Sequence, residues 1–188
     1  MNQSIKSYVK IQKKFLTKKF CDSVIKELQY ANFREHTFYD SKNDNYTTLS
    51  GDQELSITND DIPLRKELTD KIWYAIDKYI KSLNCDYFKG WEGYSLPRFN
   101  RYENKEKMAL HCDHISDLFD GQRKGIPTLS ILGLLNEDYE GGELIMFDNY
   151  EIKLKQGDLM IFPSNFLYPH KVEPVKKGVR YSYVSWVW

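Results

Sequence analysis

The chain has 188 residues, of which 41% are hydrophobic and 29% charged, with equal numbers of acidic and basic side chains. This length is typical of one domain, so we predict a single domain over residues 1–188. The zero net charge gives no overall attraction for nucleic acid or an anionic membrane, and no stretch approaches the ~20 apolar residues that span a bilayer. Three cysteines without a CxxC pair argue against a disulfide framework and favour a reducing, cytoplasmic setting.

The amino-terminal half is predicted to be helical. Thr17 is a candidate N-cap for a first helix whose apolar residues fall on one face. A second helix is predicted to begin near Asp60 or Asp61, with Pro63 in its first turn, because apolar residues then recur every three or four positions. Between the two helices, residues 36–58 are rich in Asn, Asp, Ser and Thr and predict a loop that could include a short strand.

From about residue 93 the pattern changes to short apolar or alternating runs separated by turn residues. Such runs predict a β-sandwich or barrel rather than a parallel sheet, with the helices packed outside. We therefore expect an α+β, mainly β fold, in which residues 1–92 form a helical support region and residues 93–188 form the core. The polar segment 114–126 is predicted to be one long loop.

A His-Cys-Asp triplet at residues 111–113 is the first candidate for chemistry. Side chains alternate across a strand, so His111 and Asp113 face one side and can share an ion. His170 is the best candidate for a third ligand, whereas His114 is expected to face away. Two imidazoles and one carboxylate on one face are typical of non-haem iron sites with open coordination positions. Zinc would accept the same residues, so a metal-binding module without activity fits the triplet as well.

Arg180 is a candidate for binding a buried carboxylate, because its planar fork donates two parallel hydrogen bonds. The segment after His170 predicts a hairpin with a turn at residues 176–178. A three-residue turn would place Arg180, Ser182 and Trp186 on the face of His170, and a two-residue turn would reverse this. Considered alone, Arg180 would more simply be a surface charge at the start of a strand.

Residues 93–188 resemble the prolyl 4-hydroxylase-like branch of the Fe(II) and 2-oxoglutarate-dependent dioxygenases. The resemblance runs in order through RYENKEKMALHCDH, TLSILGLLNEDYEGGELIMF, GDLMIFPSNFLYPHKVEPV and KGVRYSYVSW. It implies a double-stranded β-helix, the cupin-like jelly roll, of about eight strands with flanking helices. It also implies Fe(II), 2-oxoglutarate and O2, with ascorbate as a candidate reductant.

The resemblance assigns roles to individual residues. The iron ligands would be His111, Asp113 and His170, and Arg180 would bind the distal carboxylate of 2-oxoglutarate. Tyr102 matches a tyrosine that lines the co-substrate or substrate pocket in relatives, and Trp186 matches a tryptophan near the iron. Some animal relatives use a tyrosine at the position of Leu134 to help bind the distal carboxylate. In this chain that contact would be replaced by a serine hydroxyl, from Ser130 or Ser182.

The implied reaction is C–H hydroxylation coupled to the conversion of 2-oxoglutarate to succinate and CO2. The presence of Asp113 favours hydroxylation, because related halogenases lack the carboxylate ligand so that halide can bind. Peptidyl proline is the expected substrate by analogy, which predicts a protein or peptide partner. The alternatives are a dioxygenase acting on a small molecule or nucleobase, and a non-catalytic cupin-like metal-binding module. The zero net charge and the lack of an arginine after Arg180 argue against a nucleic-acid substrate.

Overall fold

The computed structural model describes residues 4–40, 45–47, 54–85, 88, 91–114, 117–118 and 124–188. Within these ranges the chain forms a short 3₁₀ helix (Ile5–Tyr8) and two α-helices, α1 (Lys18–Leu28) and α2 (Arg65–Leu83). The strands, in chain order, are β1 (Lys10–Gln12), β2 (Arg34–Glu35), β3 (Phe38–Asp40), β4 (Asn45–Thr47), β5 (Ser56–Thr58), β6 (Arg98–Tyr102), β7 (Met108–His111), β8 (Asp117–Leu118), β9 (Lys124–Gly125), β10 (Leu129–Leu134), β11 (Glu140–Gly141), β12 (Leu144–Met146), β13 (Tyr150–Ile152), β14 (Leu159–Pro163), β15 (His170–Val172), β16 (Val175–Lys177) and β17 (Arg180–Val187).

Two antiparallel sheets carry the fold. The larger has the strand order β1-β14-β10-β17-β6-β5-β2, and the smaller has the order β13-β12-β15-β7. From β6 onward the chain passes back and forth between the two sheets and contributes four strands to each. The larger sheet contains β6, β10, β14 and β17, and the smaller contains β7, β12, β13 and β15. This alternation is the double-stranded β-helix, so the predicted jelly roll is confirmed.

Side-chain alternation gives the larger sheet two apolar faces. Along β17, Tyr181 and Tyr183 belong to the buried cluster that includes the helices. Val184 and Trp186 point the other way, into a second cluster shared with strands of the smaller sheet. A strand buried on both faces has no polar alternation, and all eight residues of β17 are indeed buried.

The two helices cover the outer face of the larger sheet, as predicted. Thr17 caps α1, since its side chain accepts a hydrogen bond from the Phe20 amide at 3.2 Å. Val24 and Leu28 of α1 and Ile72 of α2 are buried in the same cluster as the outward residues of β10, β14 and β17. Within the described part of the chain, no helix is both long and apolar enough to cross a membrane.

Helix α2 begins at Arg65, later than the predicted start near Asp60 or Asp61. The Asp60 carboxylate accepts hydrogen bonds from the backbone and side-chain amides of Asn32, so it tethers the end of the α1 segment. The Leu64 amide donates instead to Glu27 at 2.9 Å. A carboxylate from another helix thus satisfies an amide at the start of α2, which local sequence rules do not anticipate.

The amino-terminal region is less purely helical than predicted. It adds β1 beside β14 and β5 and β2 beside β6, so three of the seven strands of the larger sheet precede residue 92. The predicted loop 36–58 contains β3, β4 and β5, and residues 41–44 and 48–53 lie outside the described residues. In the predicted loop 114–126, β8 and β9 pair as a short ribbon, whereas residues 115–116 and 119–123 are not described. Strands of two or three residues are too short to show a period in sequence.

The predicted hairpin between His170 and Arg180 is wrong. Strand β15 pairs with β7 and β12, β16 pairs with β11, and β17 pairs with β10 and β6. The chain leaves the smaller sheet after β15 and enters the larger sheet only at Arg180, after a turn in which Gly178 has φ +77°. The predicted common face of Arg180, Ser182 and Trp186 holds, because it depends only on alternation within β17.

Asp158 joins the amino-terminal segment to the core. Its carboxylate accepts hydrogen bonds from the Lys13 side chain at 2.8 Å and from the Lys14 and Lys155 amides at 2.9 Å each. Burial opposes ionisation, but these hydrogen bonds outweigh it and lower the pKa of Asp158 below its ordinary value of 3.8. The carboxylate therefore stabilises the fold in its ionised form.

We expect Asp158→Asn to lower the free energy of unfolding by about 1–3 kcal/mol at pH 7, because an amide cannot replace all three acceptor contacts. The pKa is lower in the folded state, so the contribution is fully present above pH 3.8 and is lost as the pH falls through the folded value. Urea titrations of both proteins at several pH values measure this. A difference that stays constant down to pH 2 would contradict the assigned role.

Candidate metal centre

The structure brings His111, Asp113 and His170 together. His111 ends β7 and lies directly opposite His170 of β15 in the strand register, and their ring centroids are 4.3 Å apart. Asp113 follows β7 by two residues, and its Oδ1 lies 3.3 Å from His111 Nε2 while its Oδ2 lies 3.9 Å from His170 Nε2. One ligand atom from each residue lies within 4.8 Å of the others. His114 is exposed and is not part of this cluster.

Backbone carbonyls orient both imidazole rings. His111 Nδ1 donates to the Ala109 carbonyl at 2.8 Å, and His170 Nδ1 donates to the Tyr168 carbonyl at 3.2 Å. A carbonyl can only accept, so in each neutral ring the proton is on Nδ1 and the lone pair is on Nε2. The Phe162 ring packs edge-on against His170 with centroids 5.1 Å apart. Both Nε2 atoms are thus fixed toward the Asp113 carboxylate in the form that binds a cation.

The electrostatics of the cluster favour a negative carboxylate. Burial opposes charge on Asp113, but the adjacent His170 and His111 more than offset it and hold its pKa well below 3.8. Burial, reinforced by the neighbouring His111, lowers the pKa of His170 to about 4. Burial also works against a charged His111, but its hydrogen bond to Asp113 outweighs this and raises its pKa. At neutral pH the cluster therefore offers an ionised carboxylate and a neutral His170.

The Ser130 side chain forms a hydrogen bond with Asp113 rather than with Arg180. Its hydroxyl donates to Asp113 Oδ2 at 2.6 Å and also shares a hydrogen bond of 2.8 Å with the Ser164 hydroxyl. Both serines are buried. Strand β10 therefore directs Ser130 toward the carboxylate of the triad, and its expected contact with the co-substrate stays a prediction.

The donor set suits a divalent transition metal. One ligand atom from each of the three residues lies within 4.8 Å of the others, a separation small enough for one cation to contact all three after small side-chain shifts. Two imidazoles with one carboxylate leave coordination positions open for a small co-substrate. Three neighbouring ligands on one side of a pocket can therefore hold Fe(II).

We expect Ser130→Ala to weaken metal binding about 10- to 100-fold, the usual effect of removing a hydrogen bond that orients a ligand. The Asp113 carboxylate would lose its only hydroxyl donor among the described residues. Isothermal titration with Mn(II), compared between Ser130→Ala and Ser164→Ala, measures the effect. The Ser164 variant should bind almost normally, and equal losses in both variants would contradict the assignment.

Arg180 is buried without an acidic partner. Only 1% of its surface is exposed, its guanidinium lies over the Tyr102 ring at 4.9 Å, and its Nη1 donates to Ser182 Oγ at 3.0 Å. Its Nε has no hydrogen-bond partner, and no described Asp or Glu forms an ion pair with it. A buried unpaired cation is costly, so this arrangement suits an anionic ligand.

Two of the other predicted co-substrate residues, Tyr102 and Ser182, lie against Arg180. Tyr102 faces it across the β6–β17 pair, and Ser182 is the hydroxyl that contacts it. Leu134, at the position where some animal relatives are expected to have a tyrosine, lies directly opposite Ser182 in the β10–β17 pair. Of the two serines predicted as substitutes, Ser182 contacts Arg180 and Ser130 contacts Asp113, and a contact of either one with 2-oxoglutarate stays a prediction.

A pocket between the sheets contains the metal triad and extends to Tyr102, whose ring lies against Arg180. It contains empty space of about 400 Å³, counting the part open to solvent. The residues that line it come from both sheets: Arg98, Asn100, Tyr102, Met108, His111, Asp113, Ser130, Ile131, Leu132, Phe162, His170, Val172, Val184 and Trp186. Trp186 lines this pocket together with the metal triad, and its role toward the co-substrate stays a prediction.

Sequence reasoning missed Arg98, Asn100 and Phe162 as pocket residues. The signal for the first two was present in the RFNRY segment, because residues two and four positions before Tyr102 share its face in a strand. Phe162 had no comparable signal, since apolar residues surround it on both sides.

Comparisons with known proteins agree with this geometry. Residues 97–188 match the family model of the 2OG-Fe(II) oxygenase superfamily. A PKHD-type hydroxylase of Herminiimonas arsenicoxydans is 42% identical over 100 residues, which cover 50% of this chain and 44% of that protein. A PKHD-type hydroxylase of Stenotrophomonas maltophilia strain R551-3 is 36% identical over 135 residues, covering 66% of this chain and 56% of that protein. The chain therefore spans only about half the length of these curated relatives.

Solved structures share the fold. A prolyl-4-hydroxylase of Pseudomonas putida superposes with a TM-score of 0.65 at 23% identity, covering 96% of this chain and 91% of that chain. A prolyl hydroxylase of Trichoplax adhaerens, in complex with a peptide fragment of the hypoxia inducible factor oxygen degradation domain, gives a TM-score of 0.72 at 17% identity, covering 96% and 83%. The family resemblance predicted from the sequence is thus confirmed: the carboxyl-terminal half of this chain, residues 97–188, matches the 2OG-Fe(II) oxygenase superfamily.

Proposed function

We propose that this chain is an Fe(II) and 2-oxoglutarate-dependent hydroxylase acting on a peptidyl proline. The observation that carries the proposal is the convergence of His111, Asp113 and His170 in a pocket beside Arg180, which is buried and forms no ion pair with any described acidic residue. A redox metal and a dicarboxylate co-substrate together account for both features, whereas a structural metal site accounts only for the first.

In this proposal His111 Nε2, His170 Nε2 and the Asp113 carboxylate hold Fe(II), which supplies the oxygen chemistry when bound. The Arg180 fork receives the distal carboxylate of 2-oxoglutarate, with Ser182 fixing one of its nitrogens. Tyr102 presents its ring to the guanidinium and so limits the positions that Arg180 can take. The co-substrate is thereby held at one end by an arginine and directed by its other end toward the triad.

The remaining pocket residues shape the reaction space. Met108, Leu132, Phe162, Val172 and Val184 contribute apolar surface that excludes water from the reacting groups. The Ser130 hydroxyl orients the Asp113 carboxylate through its hydrogen bond to Oδ2. The protein's contribution is thus ligand geometry, placement of the co-substrate and a dry environment.

Prolyl hydroxylation is supported by the names of the structural neighbours, one of which was solved with a peptide bound. Ascorbate as a reductant and a reducing, cytoplasmic location belong to the same proposal. The location follows from the cysteine pattern, which argues against a disulfide framework.

The test is oxygen-dependent conversion of 2-oxoglutarate to succinate by the Fe(II)-loaded protein, with and without ascorbate, together with mass spectrometry of proline-containing peptides. A mass increase of one oxygen on proline, matched by succinate, is the expected result. Turnover of free amino acids or a nucleobase instead would replace the peptide substrate by the small-molecule alternative. Tight metal binding without any succinate would leave a cupin-like binding module.

A further inference from the structure

A second guanidinium, that of Arg98, enters the pocket and has no part in the mechanism described above. Arg98 is the first residue of β6 and pairs with Val184 of β17. Its side chain lies on the same face of β6 as Asn100 and Tyr102 and lines the pocket together with the three residues of the metal triad.

Neighbouring side chains fix the position of the Arg98 guanidinium but leave its terminal nitrogens able to bind a ligand. The guanidinium lies over the Trp186 ring at 4.8 Å, and its Nε donates to Asn100 Oδ1 at 3.3 Å. Among the described residues, its two terminal nitrogens donate to no group and no carboxylate forms an ion pair with it. Stacking on an aromatic ring fixes the plane of a guanidinium, so four N–H donors stand preorganised in the pocket.

Arg98 remains charged in this position. Burial lowers its pKa to about 10, although Asp113 raises it in part. The nearby Arg34 also lowers the pKa of Arg98, so a second positive charge lies within electrostatic range. The ion pairs and the hydrogen bond of the Asp113 carboxylate join it to His111, His170 and Ser130, and it forms no ion pair with Arg98.

Arg98 and Arg180 occupy different positions along the β6–β17 pair. In the β6–β17 ladder Arg180 is opposite Tyr102, whereas Arg98 is opposite Val184, four residues further along. A strand rises about 3.3 Å per residue, so the two backbone positions are roughly 13 Å apart. A 2-oxoglutarate molecule held by Arg180 at its distal carboxylate and by the triad at its other end would have both carboxylates engaged, so its affinity is not expected to depend on Arg98.

We propose that Arg98 binds a carboxylate of the substrate that is hydroxylated, which makes the substrate an amino acid or peptide with an anionic group close to the target C–H bond. This inference rests on the proposed function. The carboxylate has two sources, an α-carboxylate or an acidic side chain next to the target residue. A guanidinium fork recognises either one with two parallel hydrogen bonds.

Two matched pairs of probes distinguish the sources. L-proline and prolinamide differ in the α-carboxylate, and internal Pro-Glu and Pro-Gln peptides differ in the neighbouring side chain. Binding is measured by calorimetry on the full chain loaded with Mn(II) and 2-oxoglutarate, and turnover is measured as succinate with Fe(II). We expect the acid member of one pair to bind at least about 30-fold more tightly than its amide.

The variants are Arg98→Gln, Arg98→Lys and the control Arg101→Gln. Arg101 lies on the same strand, but its guanidinium packs over Phe33 at 4.4 Å and pairs with Glu103. Arg98→Gln should remove the preference for the acid over the amide without changing the affinity for 2-oxoglutarate. Arg98→Lys should retain part of the preference for the acid, and Arg101→Gln should retain all of it.

Equal binding of acid and amide in both pairs, or loss of 2-oxoglutarate affinity in Arg98→Gln, would overturn the inference. These results are separable from failure of the proposed function. Arg98-dependent binding of the acid without any succinate would support the carboxylate site and refute the hydroxylase, whereas succinate formation without acid preference would do the reverse.

Discussion

The His170→Ala variant is expected to lose succinate formation completely, since it lacks one of three ligands. Removing a group that only orients a ligand costs about 10- to 100-fold in metal affinity, and removing the ligand itself should cost more. The backbone of β15 pairs with β7 and β12 independently of the imidazole, so the fold should persist. Calorimetry with Fe(II) under anaerobic conditions and a succinate assay measure the two losses.

The matched control is His114→Ala. His114 is exposed, follows Asp113 directly and is not part of the triad, so its variant should bind metal and turn over 2-oxoglutarate as the parent does. Circular dichroism of both variants is the control that tests whether they are folded. Undiminished iron binding by His170→Ala would mean that the cluster is not the metal centre.

The Arg180→Gln variant is expected to bind 2-oxoglutarate roughly 30-fold more weakly or worse, because truncating one partner of a buried charge pair costs about 2–5 kcal/mol. Metal affinity should stay near the parent value, since Arg180 is not among the ligating residues. Removing a buried cation that has no acidic partner among the described residues should also leave the apo fold at least as stable. Titration of the Mn(II)-loaded protein with 2-oxoglutarate measures the change.

Arg180→Lys separates charge from geometry in this prediction. A lysine keeps the positive charge but cannot form two parallel hydrogen bonds, so it should recover only part of the lost affinity. Arg101→Gln serves as the arginine control, because the Arg101 guanidinium packs over the Phe33 ring and does not contact Arg180 or the triad. If Arg180→Gln instead weakened metal and left 2-oxoglutarate unaffected, the assignment of the distal carboxylate would be wrong.

The candidate site was largely predictable because its key spacing is local. His111 and Asp113 are two residues apart, and alternation alone brings them to one side. The shared face of Arg180, Ser182 and Trp186 follows from the same rule within a single long strand. His170 was the best candidate for a third ligand from the residues alone, the resemblance assigned it that role, and the direct β7–β15 pairing now gives the physical basis of its convergence on this pair.

Strand partners were less accessible to sequence reasoning. Pairing is a long-range choice, and the segment after His170 satisfied the rules for a hairpin although its strands have different neighbours in the sheets. The short strands of the amino-terminal region are recruited by the free edges of the larger sheet, a reason that lies outside their own sequence. The late start of α2 has a similar cause, since the Glu27 carboxylate of α1 accepts a hydrogen bond from the Leu64 amide at the start of α2.

Two roles in the pocket depended on side-chain directions that only the structure supplies. Ser130 was predicted as a candidate contact for 2-oxoglutarate, and its position on β10 gives it a hydrogen bond with Asp113. Arg98 was not predicted as a pocket residue, yet it stacks on Trp186 inside the pocket. In both cases the partner of the side chain lies in another part of the chain, so local sequence rules do not reveal it.

The most direct test of the account is anaerobic addition of 2-oxoglutarate to the Fe(II)-loaded chain, followed by visible absorption. Chelation of Fe(II) by the keto and carboxylate oxygens gives a weak charge-transfer band, so we expect a band that saturates at one equivalent in the parent, requires far more 2-oxoglutarate in Arg180→Gln and is absent in His170→Ala. A parent protein that binds Fe(II) at this triad and gives no band at any 2-oxoglutarate concentration would contradict the account.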